Sequence, residues 1–100
     1  MVDLMVESGA DGAIYLSGEF DIAAERTFSE RSAALVDGQR EIVLDLSAVT
    51  FLDSTGIRAI LALAGRVTPR PVVLRHPTRP VARLFDIVGI DRMLNLRVQA

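Results

Sequence analysis

Residues 41–61, EIVLDLSAVTFLDSTGIRAIL, decide the fold. Ile42 to Leu46 is apolar on both faces except for Asp45, the pattern of a strand central in its sheet. A short loop follows. Asp53-Ser54-Thr55-Gly56 then opens a helix in which Ile57, Ile60, Leu61 and Ala64 recur at i, i+3, i+4 and i+7. The loop delivers two hydroxyls, Ser54 and Thr55, to a helix start, where backbone N–H groups and the positive end of the helix dipole gather. Such a place suits a phosphate, free or attached to a side chain.

Working outward, residues 2–7 and 13–17 are short strands separated by Ser8-Gly9-Ala10-Asp11-Gly12, a gap that suits a hairpin. Asp21 caps a helix that runs to about Val36, with Ala24, Phe28 and Leu35 on one side and Gly38 beyond its end. The central helix ends near Gly65-Arg66, before Pro69 and Pro71. Val72-Val73-Leu74 is the next strand. Thr78 caps a third helix with Pro80 in its first turn, lined by Val81, Leu84, Phe85 and Val88 and ended by Gly89. Leu94, Leu96 and Val98 alternate in a final strand. The order ββαβαβαβ implies an α/β fold: a mixed sheet of about five strands, an opening antiparallel hairpin, then parallel strands joined by right-handed crossovers and packed against helices.

Bulk properties narrow the function. One hundred residues make one domain, 1–100, and half of them are hydrophobic, enough for a single core. All 11 basic residues are Arg, spread along the chain, and the net charge is −2, so no basic excess points to nucleic acid. The absence of Cys excludes disulfides and thiolate catalysis. No basic-then-apolar leader opens the chain, and no apolar run approaches a membrane span. The expectation is a cytoplasmic protein with no membrane association, no metal and no cofactor.

Each singled-out residue has a plain structural reading as well. Asp53 or Ser54 can be no more than a helix cap. Gly56 argues for more, since Gly in a first turn costs helix stability and makes sense where something approaches the backbone closely. Asp21 follows the second strand as Ser54 follows the third; if those strands are neighbours, the two come together. Asp45 suits a structural role. His76, the single His, sits between Arg75 and Pro77 and reads as a solvated turn residue. Asp53-Ser54-Thr55-Gly56 is not the G-x-S-x-G elbow of a serine hydrolase, and no phosphate-binding glycine loop is present. Arg79 and Arg83 read as a solvated face.

LSGEFD at 16–21, IVLDLSAVTFLDSTGIRAIL at 42–61 and VARLFDIVGID at 81–91 together resemble the STAS domain, and among its members bacterial anti-sigma factor antagonists. The resemblance spans nearly the whole chain, with Phe51 to Gly56 its most specific block. It implies that Ser54 is phosphorylated by an anti-sigma factor of the GHKL kinase type. The unphosphorylated antagonist binds that factor and frees its sigma factor, the phosphorylated form does not bind, and a PP2C-type phosphatase resets the cycle. It places Asp21, Asp53, Ser54, Thr55 and Gly56 at the partner-binding surface and makes the chain no enzyme. Many relatives carry a further helix after the last strand, where this sequence ends; a homodimer is one possible consequence. A scaffold or interaction subunit of a stress-signalling or lipid-transport complex is the alternative that the resemblance leaves open.

Overall fold

The computed structural model describes residues 4–100. Its strands are β1 (Met5–Ser8), β2 (Ile14–Phe20), β3 (Ile42–Leu52), β4 (Val72–Arg75) and β5 (Leu96–Gln99); its helices are α1 (Glu25–Leu35), α2 (Ser54–Val67) and α3 (Arg79–Val88). Positions 2 and 3 of the expected first strand lie outside the described residues. The five strands lie in chain order, with β1 antiparallel to β2 and every later pair parallel. Right-handed crossovers in a sheet that grows in one direction put all three helices on one face.

That face holds the core. Ile14, Leu16, Phe20, Ile42, Leu44, Leu46, Val72, Leu74 and Leu96 point into it from the sheet and are buried. Phe28 enters from α1, Ile57, Ile60, Leu63, Ala64 and Val67 from α2, and Val81 and Phe85 from α3. Phe20 and Phe28 pack ring to ring at 4.7 Å between centroids. Leu61, expected on the buried stripe of α2, is half-buried at its margin, because the stripe centres on Ile60, Leu63, Ala64 and Val67.

Several boundaries differ from the sequence reading, each for a physical reason. β3 does not stop at Leu46 but runs on to Leu52, through the segment expected to be a loop. Between the pairs Tyr15↔Asp45 and Ser17↔Ala48, β2 advances two residues and β3 three; between Gly18↔Val49 and Glu19↔Phe51, β2 advances one and β3 two. Each bulge adds a residue to β3 and destroys the alternation by which a strand is read. β2 likewise continues past Ser17 to Phe20. Thr50 Oγ1 donates to the Gly18 carbonyl at 3.2 Å, closing this bulged stretch of the sheet.

The first helix begins differently as well. Asp21 caps a single 3-10 turn at Ile22–Ala24, and the α-helix proper starts at Glu25. Thr78 holds the N-cap position of α3, but its hydroxyl makes no cap bond; it donates to the Val49 carbonyl at 3.4 Å. Leu94 is outside the final strand, at φ 51 and 75% exposed, so the alternation with Leu96 and Val98 that suggested a longer strand is accidental. A 3-10 turn at Ile90–Arg92 takes up the chain between Gly89 and this residue.

On the sheet face away from the helices, the register aligns Glu7, Tyr15, Asp45, Arg75 and Gln99 in one row across all five strands. Asp45 is buried there and accepts from Ser47 N at 3.0 Å, Ser47 Oγ at 2.6 Å and Arg75 Nε at 2.9 Å. Burial alone would raise its pKa. The Ser47 hydroxyl, the Ser47 N–H and Arg75 outweigh that and hold the carboxyl below its ordinary value. Arg75 also reaches the Tyr15 hydroxyl at 2.9 Å and Asp11 at 3.1 Å, tying the hairpin loop to the middle of the sheet.

Candidate functional site

The site forms where β2 and β3 end. Phe20 and Leu52 are paired across the two strands, so Asp21 and Asp53 leave the sheet side by side, at roughly the strand spacing of 4.8 Å. Both adopt the same extended backbone, φ −118 and ψ −170 at Asp21, φ −119 and ψ −168 at Asp53. Both use the carboxylate as a cap. Asp21 Oδ1 accepts from Ala24 N at 3.2 Å. Asp53 Oδ1 accepts from Thr55 N at 3.0 Å and Gly56 N at 3.2 Å. Two carboxylates therefore stand at the C-terminal end of the sheet, each fixed by a helix start.

Ser54 is the first residue of α2 and is exposed. Its immediate neighbours are not. Thr55 is 8% exposed and Gly56 is buried. Of the five residues expected at a partner surface, the structure thus brings Asp21, Asp53 and Ser54 together in reach of solvent and turns Thr55 and Gly56 inward. Two expectations change with this arrangement. Free N–H groups at the start of α2 were to hold a phosphate, yet those of Thr55 and Gly56 are occupied by Asp53. Gly56 was to admit a close partner, and what approaches it is the protein itself. A Cβ there would lie 2.9 Å from Leu52 Cγ and 3.0 Å from the Phe20 carbonyl oxygen. Glycine lets α2 pack directly on the end of β2.

Three further residues shape the site and were not among the site residues expected from the sequence, although Phe51 opens the block that carries the family resemblance. Ile22, next to Asp21, is 74% exposed, and Phe51, two residues before Asp53, is 47% exposed. They set apolar surface beside the acidic pair. Arg58 lies one turn after Ser54 on the exposed stripe of α2. Helical spacing from Ser54 was the available signal for Arg58. Ile22 lies in a 3-10 turn and Phe51 in the bulged part of β3, which leave both side chains exposed.

The single His stands away from Ser54. His76 is exposed, at φ 54, and its N–H donates to Gln99 O at 2.8 Å. Arg75 is level with Asp45 in the sheet, so His76 stands beside the middle of β3, roughly 15–20 Å of strand short of Ser54. Arg79 and Arg83 are exposed on α3, as a solvated face requires. Among the described residues no group of His, Asp and Glu is arranged to hold a metal ion, and no helix is long and apolar enough to cross a membrane.

The fold has close counterparts among solved structures. An anti-sigma factor antagonist from Mycobacterium paratuberculosis is 28% identical and superposes with a TM-score of 0.75, over 97% of this chain and 86% of that one. An anti-sigma-factor antagonist (STAS) domain protein from Planctomyces limnophilus is 16% identical, with a TM-score of 0.73 over 99% of this chain and 92% of its own. The Bacillus cell fate determinant SpoIIAA in its phosphorylated form is 17% identical, with a TM-score of 0.63 over 97% and 91%. Among curated proteins none matches the sequence. The family model described as "Mlab, STAS domain" matches residues 5–97. With that match over almost its whole length, the chain belongs to the STAS domain family.

Proposed function

We propose that this protein is an anti-sigma factor antagonist that works by partner switching. In its unphosphorylated form it binds an anti-sigma factor of the GHKL kinase type and so frees a sigma factor. Phosphorylation of Ser54 by that kinase ends the binding, and a PP2C-type phosphatase restores it. The protein acts in the cytoplasm and catalyses nothing itself. The observation that carries this reading is the exposure of Ser54 directly after the capping carboxylate of Asp53, at the strand ends that also carry Asp21, while the neighbouring Thr55 is buried. A kinase docking on this edge meets one accessible hydroxyl. The likeness to the mycobacterial antagonist supports the same role.

The switch is electrostatic and local. A phosphate adds about −1.5 to −2 charges at neutral pH. It arrives beside Asp21 and Asp53, at a surface whose apolar rim of Ile22 and Phe51 suits a dehydrated contact. A thousandfold loss of affinity requires only about 4 kcal/mol, within what an unpaired charge in an interface costs. The core need not rearrange.

Incubation with ATP and candidate anti-sigma kinases, followed by mass spectrometry of peptides, tests the assignment. Phosphate on Ser54 supports it, and phosphate confined to other residues refutes it. A second reading is an interaction subunit of a larger complex with no sigma-factor role. It is favoured by the family model, which is described as Mlab rather than as an antagonist. Under that reading no anti-sigma kinase binds the protein or modifies it.

A further inference from the structure

From the geometry of α2 we infer that Arg58 is the intramolecular counter-ion of phosphorylated Ser54. The inference rests on the reading of Ser54 as the modified residue and concerns how the phosphate is held.

A dianion on Ser54 faces an acidic setting. Asp21 and Asp53 leave the sheet side by side next to it. Two of the donors that a helix start would offer are committed, because Asp53 Oδ1 already takes the N–H groups of Thr55 and Gly56. Ile57 N–H donates to the Asp53 carbonyl at 3.0 Å. Of the donors at this helix start only the Ser54 N–H is left without a partner among the described residues, so a neighbouring cationic side chain is the strongest partner the helix offers the phosphate.

Arg58 stands four residues after Ser54 on α2, and both are exposed. Residues four apart on a helix have Cβ atoms roughly 6 Å apart, with the anion on the N-terminal side in the favoured order. Arg58 makes no hydrogen bond or salt bridge among the described residues. Three arginines are engaged, Arg31 with the Val6 carbonyl, Arg70 with the Val36 and Gln39 carbonyls and Arg75 with Asp45 and Asp11; among those left free in the described residues, Arg58 is the one placed a single helical turn from Ser54 on α2. A guanidinium offers a planar pair of donors that matches a phosphate bidentately. Pairing lays the phosphate along the exposed stripe of α2. It also occupies an exposed cation of α2, so that one modification both adds an anion and masks a cation.

Genetic encoding of phosphoserine at position 54 makes the test independent of any kinase. The phosphate resonance is followed by phosphorus NMR against pH, in the otherwise native chain and in Arg58→Gln, Arg58→Lys and Arg26→Gln forms. A paired guanidinium favours the dianion, so the native midpoint lies below that of Arg58→Gln by about 0.4. Arg58→Lys falls between them, and Arg26→Gln on α1 follows the native curve. Coincident curves for the native and Arg58→Gln forms overturn the inference, as does a displacement produced by Arg26→Gln alone. If these curves separate while no anti-sigma kinase modifies Ser54, the counter-ion stands and the proposed switching role falls.

Discussion

Ser54 and Gly56 are two residues apart and do opposite work. Ser54 faces solvent as the single accessible hydroxyl of the tetrad, whereas Gly56 is sealed between α2 and the end of β2. Gly56→Ala forces a methyl group against Leu52 and the Phe20 carbonyl. Overpacking of this kind costs about 1–3 kcal/mol, partly offset by the better helix propensity of Ala. A net loss of about 1–2 kcal/mol is expected in denaturant unfolding. An unchanged midpoint would show that the packing yields easily. Ser54→Ala is expected to fold normally, to take no phosphate and to bind its partner constitutively. Ser54→Asp is expected to bind more weakly than Ser54→Ala with an unchanged melting temperature. The serine was legible in the sequence because a cap signal, two hydroxyls and a family motif coincide there. The inward turn of Thr55 was not, because it depends on the rotation of α2 about its axis, which the packing of Ile57 and Ile60 sets.

Among the elements, β3 carries the longest argument. It supplies buried Asp45 at its middle and the site at its end, with two bulges between them. The apolar first half was readable; the bulged second half was not, since added residues erase the period-two pattern. Helices were easier, their period being longer and their ends marked by Asp53, Pro80 and Gly89. Asp45 gives this strand a pH signature. Its folded pKa lies below the unfolded value, about 3.9 for Asp. Its contribution is therefore present above about pH 4 and is lost as pH falls through the folded pKa. Asp45→Asn is expected to lose about 1.5–3 kcal/mol at neutral pH, the worth of hydrogen bonds to a charged group. The gap between the two proteins should then narrow in acid, as urea titrations at a series of pH values would show. A constant gap would mean that the carboxylate's charge is not what Ser47 and Arg75 hold.

The whole molecule is a one-sided sheet with its core under three helices and its candidate site at the C-terminal ends of the interior strands β2 and β3. Ile60, fully buried in the middle of α2, is the place to test the core. Ile60→Ala is expected to cost about 2–5 kcal/mol in unfolding free energy; a cost under about 1 kcal/mol would be too small for a close-packed site. The molecule is also expected to hydrolyse neither ATP nor activated esters, since its single His stands well short of Ser54 and the Asp53 carboxylate is committed to capping α2. Turnover abolished by His76→Ala would reverse that view. These expectations meet in one claim, that a phosphate on Ser54 changes binding without changing the fold. The most direct measurement is calorimetric titration of the anti-sigma kinase that modifies Ser54 with the unmodified and the phosphorylated protein, alongside the melting temperature of each. The account predicts an affinity lower by roughly a thousandfold for the phosphorylated form and nearly equal melting temperatures. Equal affinities for the two forms would contradict it.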